Sequence, residues 1–290
     1  MEEVTIDGVA IRLTDPDTIE WNWVGQKELL RQILAAWLVL SPDDRPLNPR
    51  LIGRPGVGKT TLACAGAEQS RRDVYLFQAT ADTRPEDLII APVLGEGGSI
   101  RYVASPIVSA MIRGGVAVLD EGNRMSEKAW AGLAPLLDQR RYVESIIAGI
   151  KIEAHEDFRF CTTMNDDAST FDLPEYIASR LLPKIVVDFP DAEEELRILA
   201  SNLPFAPEQV LLFVIAILQR AHAAQASYSV RDGINLARYA LKRAQQRDGS
   251  MENVLDFVPE AVESVLGEEA LEFLPDDDDV FPGPRDEDSP

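Results

Sequence analysis

The nine residues from Gly53 to Thr61, Gly-Arg-Pro-Gly-Val-Gly-Lys-Thr-Thr, limit what this chain can fold into more than any other stretch. They fit the pattern G-x-x-x-x-G-K-[ST]. Leu51-Ile52 before them reads as a strand, and Leu62-Ala63-Cys64-Ala65 after them as the first turns of a helix. Strand, glycine loop and helix together aim backbone N–H groups and the positive end of a helix dipole at one point, which suits a chain of phosphates. Gly56 and Gly58 let the backbone approach without a Cβ in the way. Gly53, Pro55, Gly56, Val57, Gly58, Lys59, Thr60 and Thr61 are therefore the expected phosphate-binding residues. Lys59 would reach the β- and γ-phosphates and the Thr60 hydroxyl would ligate Mg²⁺.

A second motif, Val116-Ala117-Val118-Leu119-Asp120-Glu121, runs an apolar strand into two carboxylates. That is the pattern of a buried parallel strand with acids at its carboxyl end. It lies 61 residues after Lys59, a placement that makes it specific. Asp120 is expected to bind Mg²⁺ through water beside Thr60, and Glu121 to orient and deprotonate an attacking water. Phe158–Thr163 reads as another core strand, ending at Asn165, which either holds that water or merely ends the strand. Asp73–Ala79 reads as a strand returning parallel to the first, with Gln78 and Thr80 at its end as γ-phosphate sensors or ordinary loop groups. Arg180 closes a short helix from Leu173, where an arginine can reach the nucleotide of an adjoining subunit.

Around these motifs the pattern predicts a β-rich lead-in over 1–23, with Asp7-Gly8 as a hairpin turn and Trp21 and Trp23 as packing residues. A helix is expected over Lys27–Leu40, whose apolar face includes Ile33, Trp37 and Leu38. Further expectations are a short helix over Pro85–Ile90, hairpins near 93–103 and 142–158, and helices over Ser105–Arg113 and Ser126–Asp138. A fifth strand is expected over Lys184–Phe189. From Asp191 the chain turns helical: Ala192–Ser201, Pro207–Ala226, Val230–Gln246 and Met251–Leu266. Helices segregated after an α/β portion imply a second, smaller domain. The expected division is an α/β nucleotide domain over 1–190, a helical domain over 191–274 and an acidic disordered tail over 275–290. Arg231 opens the third of these helices, either as an exposed arginine or as an arm over the nucleotide.

The net charge of −21 includes −6 from the tail and leaves −15 on the rest. That balance opposes non-specific nucleic-acid binding, which rests on cationic contacts to phosphate. No apolar run reaches the roughly 18 residues of a membrane span, and the first residues carry no signal-peptide pattern, so a cytoplasmic protein is expected. Cys64 and Cys161 lie in apolar segments and read as reduced core residues. His155 and His222 are isolated, so the only metal expected is nucleotide-bound Mg²⁺.

The segments VGQKELL, GRPGVGKTT, SPIVSAMIRGGVAVLDEGNRM, LAPLLDQRRYV, CTTMN, LPEYIASRLLPKIVVDFP and SVRDGINLARYALKRA resemble an AAA+ ATPase of the MoxR-like, dynein-related group, over roughly residues 20–245. The resemblance implies a P-loop core with a parallel five-stranded sheet and inserted hairpins, followed by a small all-helical lid. It also implies that Asn165 takes the sensor 1 role, Arg180 the arginine finger and Arg231 sensor 2. It further implies ATP as cofactor, a homo-oligomeric, usually hexameric ring, and a remodelling or assembly role, often with a partner bearing a von Willebrand A domain. Thr162-Thr163-Met164-Asn165 and the Leu-Leu after Arg180 depart from the common wording of the group, and neither removes a catalytic group. The leading expectation is an ATP-hydrolysing ring chaperone. The alternatives are a nucleotide-gated binding module without sustained turnover and, against the charge, a nucleic-acid motor.

Overall fold

The computed structural model describes residues 2–18, 23–166, 173–250 and 253–275. The chain divides into two compact units. One holds the residues up to Trp23, Lys27–Gly53 and Gly58–Val187; the other holds Val24–Gln26, Arg54–Val57 and the residues from Asp188 onward. Among the described residues no helix is long and apolar enough to cross a membrane. Trp21, the start of the expected 251–266 helix and the acidic run from Asp276 lie outside the described residues.

The first unit opens with a hairpin of β1 (Glu3–Ile6) and β2 (Val9–Arg12). Its turn residues Asp7 and Gly8 have φ of 48° and 81°, the left-handed pair that an Asp-Gly hairpin turn requires. There follow α1 (Lys27–Trp37), β3 (Arg50–Gly53), α2 (Lys59–Gln69), β4 (Val74–Gln78), the hairpin β5 (Ile90–Leu94) and β6 (Ile100–Ala104), α3 (Pro106–Arg113) and β7 (Val116–Asp120). Then come α4 (Glu127–Leu133), the hairpin β8 (Tyr142–Ser145) and β9 (Ile150–Glu153), β10 (Arg159–Asn165), the short α5 (Glu175–Ala178) and β11 (Lys184–Val186).

Five of these strands form a parallel sheet in the order β11-β3-β10-β7-β4, the α/β architecture expected from the sequence. β10 is buried along its whole length and β7 up to its final Asp, as central parallel strands must be. The register aligns the carboxyl ends: Gly53 pairs with Asn165, and Gln78 with Asp120. Everything that ends a strand with chemistry therefore ends on one edge, where open α/β sheets bind ligands. β4 is parallel to β3 but separated from it by two strands, β10 and β7. The lead-in and the first inserted hairpin, separate in the sequence reading, join in one sheet of order β1-β2-β6-β5.

Several elements stop short of their apolar pattern. α1 ends at Trp37, leaving Leu38 and Leu40 59% and 81% exposed. The reason is local competition: Arg159 Nε donates to the Trp37 carbonyl at 2.8 Å and Leu47 N–H takes the Ala36 carbonyl. Residues 85–90 form turns and not a helix, since the Asp87 and Ile89 amides bond three residues back and Ile90 begins β5. α4 stops at Leu133, and the chain tightens through a bond from Leu136 N–H to Leu133 C=O. β11 ends at Val186, three residues before the expected Phe189.

The second unit carries α6 (Ala192–Asn202), α7 (Glu208–Ala223), α8 (Val230–Asp248) and α9 (Val258–Leu266). Leu199, Val214, Leu218, Leu236 and Val262 are among its buried core residues. Ser229 precedes α8 and Gly249, at φ 64°, ends it in the left-handed conformation of a helix C-terminus. Val254–Phe257 is a separate 3₁₀ turn, and Pro259 lies in the first turn of α9, where its missing N–H costs nothing.

Candidate functional site

The loop between β3 and α2 turns through Gly56 and Gly58, at φ 81° and 91°. At both, a side chain would be strained by the backbone alone. A Cβ on Gly58 would also lie 3.1 Å from the Trp23 ring, so Trp23 packs against the end of this loop. The Trp23 indole N–H is buried and has no hydrogen-bond partner among the described residues. Lys59 is 6% exposed, and its Nζ donates to the Gly53 carbonyl at 2.9 Å. Val57 is buried, Pro55 is exposed and Thr61 is half-buried. Cys64 and Cys161, further into the core, are free and buried; burial, helped by Asp17 and Asp120, pushes the Cys64 thiol up to about 12. Neither cysteine is a nucleophile in such surroundings.

Next to Lys59, the Thr60 hydroxyl donates to Asp120 Oδ1 at 2.7 Å. The Thr163 hydroxyl donates to the same oxygen and accepts the Glu121 N–H at 2.9 Å. Glu121 sits in the left-handed region (φ 54°, ψ 40°), a conformation costly for a residue with a side chain. Its carboxylate is held from three sides. Asn165 Nδ2 donates to Oε1 at 3.0 Å, Gln78 Nε2 donates to Oε2 at 3.2 Å, and Arg124 Nε forms an ion pair with Oε2 at 2.6 Å. Asn123 in turn ties down the end of β10: its Nδ2 donates to the Asn165 carbonyl at 2.8 Å and its Oδ1 accepts the Asn165 N–H at 3.3 Å.

The structure thus brings Thr60, Asp120, Glu121 and Asn165 together. Of the two groups flagged on β4, Gln78 joins them, whereas Thr80 spends its amide and hydroxyl on Thr83. Arg180 stands apart, with its Nε 3.3 Å from Asp138 Oδ2 and its Nη1 on the Tyr176 carbonyl. In the second unit, Arg231 is exposed, and its Cβ lies 3.5 Å from where a Cβ on Gly56 would sit. Sequence reasoning did not single out Thr163, Asn123, Arg124 or Asp138. Thr163 had one visible signal, a hydroxyl two residues before Asn165 at the end of a predicted core strand.

Residues 50–181 match the family described as AAA domain, dynein-related subfamily. This chain carries a dynein-related AAA domain. This chain is 28% identical over 165 residues to the uncharacterized protein YeaC of Bacillus subtilis, covering 56% of this chain and 49% of YeaC. It is 27% identical over 233 residues to von Willebrand factor A domain-containing protein 8 of Mus musculus, covering 71% of this chain and 12% of that protein. The chain therefore spans about half, or far less, of the length of these relatives. In fold it is similar to Thermotoga maritima RuvB, described as a Holliday junction branch migration motor. The TM-score is 0.55 at 16% identity, covering 83% of this chain and 70% of that one.

Proposed function

We propose that this chain binds and hydrolyses ATP with Mg²⁺, and that it works as a homo-oligomeric, hexameric AAA+ ring that remodels or assembles a partner protein. One observation carries the reading: Glu121 is fixed at the carboxyl edge of the sheet beside Asp120, with Asn165 on one carboxylate oxygen and the phosphate loop's Thr60 on Asp120. The donor set fits a magnesium–triphosphate. A buried amine, two left-handed glycines and a hydroxyl–carboxylate pair are anion-cradling and hard-cation chemistry respectively.

Gly53, Pro55, Gly56, Val57, Gly58, Lys59, Thr60 and Thr61 would hold the phosphates, with Thr60 and Asp120 holding Mg²⁺. Bound MgATP would supply the phosphoanhydride to be cleaved. Glu121 takes the proton of the attacking water, and Asn165 orients both. Arg231 is the cation supplied by the helical unit, and Arg180 the one supplied to an adjacent copy. The von Willebrand A domain named in the mouse relative supports a partner of that kind. The net charge of −21 argues against nucleic acid.

A second reading has an observation in its favour. The Arg124–Glu121 ion pair occupies the proposed base, as it would in a nucleotide-gated binding module that does not sustain turnover. Glu121→Gln separates the readings from each other and from failure. Hydrolysis should fall about 100-fold or more, the usual worth of a general base, while ATP affinity is retained. Unchanged turnover in Glu121→Gln removes the assignment of the base. No affinity for magnesium nucleotides in the unaltered protein removes the whole reading. Slow turnover that partner capture does not accelerate favours the binding module.

A further inference from the structure

Asp138 follows α4, and its carboxylate meets two arginines. Oδ1 accepts the Arg140 backbone N–H and Nε, both at 3.0 Å, and Oδ2 accepts Arg140 Nη2 at 2.8 Å and Arg180 Nε at 3.3 Å. A carboxylate offers about four lone-pair positions, so these contacts fill it. Arg140 takes the bidentate share and neutralises the charge; Arg180 receives a single N–H contact. Arg180 is therefore oriented without being neutralised. Its Nη1 goes to the Tyr176 carbonyl, its guanidinium lies 5.9 Å over the Tyr176 ring, and its side chain is 29% exposed.

The backbone beneath is pinned as well. Asn48 Nδ2 donates to the carbonyls of both Leu137 and Arg180, at 3.0 and 3.2 Å, joining the two segments that carry this cluster. Arg140, chiefly through its hydrogen bonds, holds the Asp138 carboxyl at about 2, so the anion persists at any working pH. One carboxylate against two guanidiniums leaves these three side chains with one positive charge in excess, the sign that phosphate recognition requires.

We propose that Asp138 is the positioning residue that aims Arg180, and that Arg140 keeps Asp138 from closing a bidentate pair on Arg180, so that the charge of Arg180 stays available to the triphosphate of a second copy of this chain. This rests on the reading that Arg180 acts on an adjacent copy. Arg140 is a guard for the finger, and its removal lets Asp138 capture it.

The test is a double-mutant cycle on steady-state ATP hydrolysis by the full chain, with fluorescent-nucleotide affinity measured on each variant. Arg180→Ala should abolish turnover. Asp138→Asn should lower kcat about tenfold at unchanged KM and unchanged nucleotide affinity, the worth of one charge-assisted hydrogen bond that orients a reacting group. Asp138→Glu, which keeps the charge, should recover part of that loss. Arg140→Ala should also lower kcat about tenfold, but the pair Asp138→Asn with Arg140→Ala should be no slower than Asp138→Asn alone, because capture needs the carboxylate. Losses that multiply to about 100-fold overturn the guard role. Full activity of Asp138→Asn, or a loss of nucleotide affinity in step with kcat, overturns the positioning role while Arg180→Ala remains inactive. An active Arg180→Ala overturns the underlying reading instead.

Discussion

Carboxylates meet opposite fates in the two units of this chain. At the edge of the parallel sheet, Asp120 Oδ1 and both oxygens of Glu121 face donors from strands β10 and β4 and from the start of α2. In the helical unit, Glu195 lies on α6 with 0% exposure, and only its Oε2 has a donor, Gln219 Nε2 at 2.7 Å. Its Oε1 faces His222 Nδ1 across 4.0 Å, and neither atom has a hydrogen-bond partner among the described residues. Burial pushes the Glu195 carboxyl up to about 7, with Asp191 adding to the rise and the Gln219 bond opposing it. Burial, aided by Arg54, pushes His222 down against the Tyr228 carbonyl and Asp188, and its ring stacks on Phe189 at 3.9 Å. Where donors reach a carboxylate, its oxygens are held in place for chemistry. Where packing excludes them, the charge is a cost to folding.

The largest effect expected from this contrast is on stability, and its sign is set by the direction of the shift. A carboxyl raised from 4.5 to about 7 folds best protonated, so its full contribution is present below pH 4.5 and is lost as pH rises through 7. Glu195→Gln keeps the shape and an acceptor for Gln219 but cannot ionise. It should match the unaltered protein near pH 4 and exceed it at pH 8 by up to about 3 kcal/mol. Denaturant unfolding of both proteins across that range measures the difference. A variant that is the less stable of the two at pH 8 would show that the carboxylate charge is compensated after all, and the contrast with the sheet edge would collapse.

The edge can be challenged from its own side. Thr163→Val removes a hydroxyl that serves Asp120 and Glu121 at once, leaving the Glu121 amide unpaired in its strained conformation. We expect ATP turnover to fall about 10- to 100-fold, or about 1.4–2.7 kcal/mol, with Thr163→Ser close to the unaltered protein. Equal rates for Val and Ser would mean that Asp120 and Glu121 hold their places without the Thr163 hydroxyl.

What could be read from the sequence follows the same division. Gly56, Lys59 and Thr60 are neighbours in the chain, and Asp120 and Glu121 end an apolar run, so their chemistry is visible without a fold. The Asp7-Gly8 hairpin and the buried β7 and β10 are visible for the same reason, since pattern and structure share one period. Contacts set by sheet register are not visible. Thr163 reaches Asp120 across 43 positions only because β10 pairs with β7, and no local signal places β10 between β3 and β7. Leu38 continues the helical pattern of α1, yet a distant Arg159 takes the carbonyl that would have carried the helix on. Glu193, Glu194 and Glu195 look alike as acids in a first helical turn, suited to its dipole. Only the packing of α7, which brings Gln219 and His222, sets Glu195 apart from the solvated surface expected of most acids here.

The smallest effect concerns how the helical unit presents Arg231. Ser229 is 2% exposed, and both its N–H and its hydroxyl donate to Asp232 Oδ2 at 2.7 Å. These two bonds close the start of α8, and the single-residue worth of such a cap is about 1 kcal/mol. Gly56 packs on the same Ser229: a Cβ there would lie 2.2 Å from the Ser229 hydroxyl oxygen, so only glycine is compatible with this cap. Ser229→Ala should therefore cost the helical unit about 1 kcal/mol in unfolding experiments at any pH from 5 to 8, unlike Glu195→Gln, whose effect must change across that range. A loss for Ser229→Ala that grew or vanished with pH would tie the cap to the Glu195–His222 pair, and the two features would have to be treated as one titrating network.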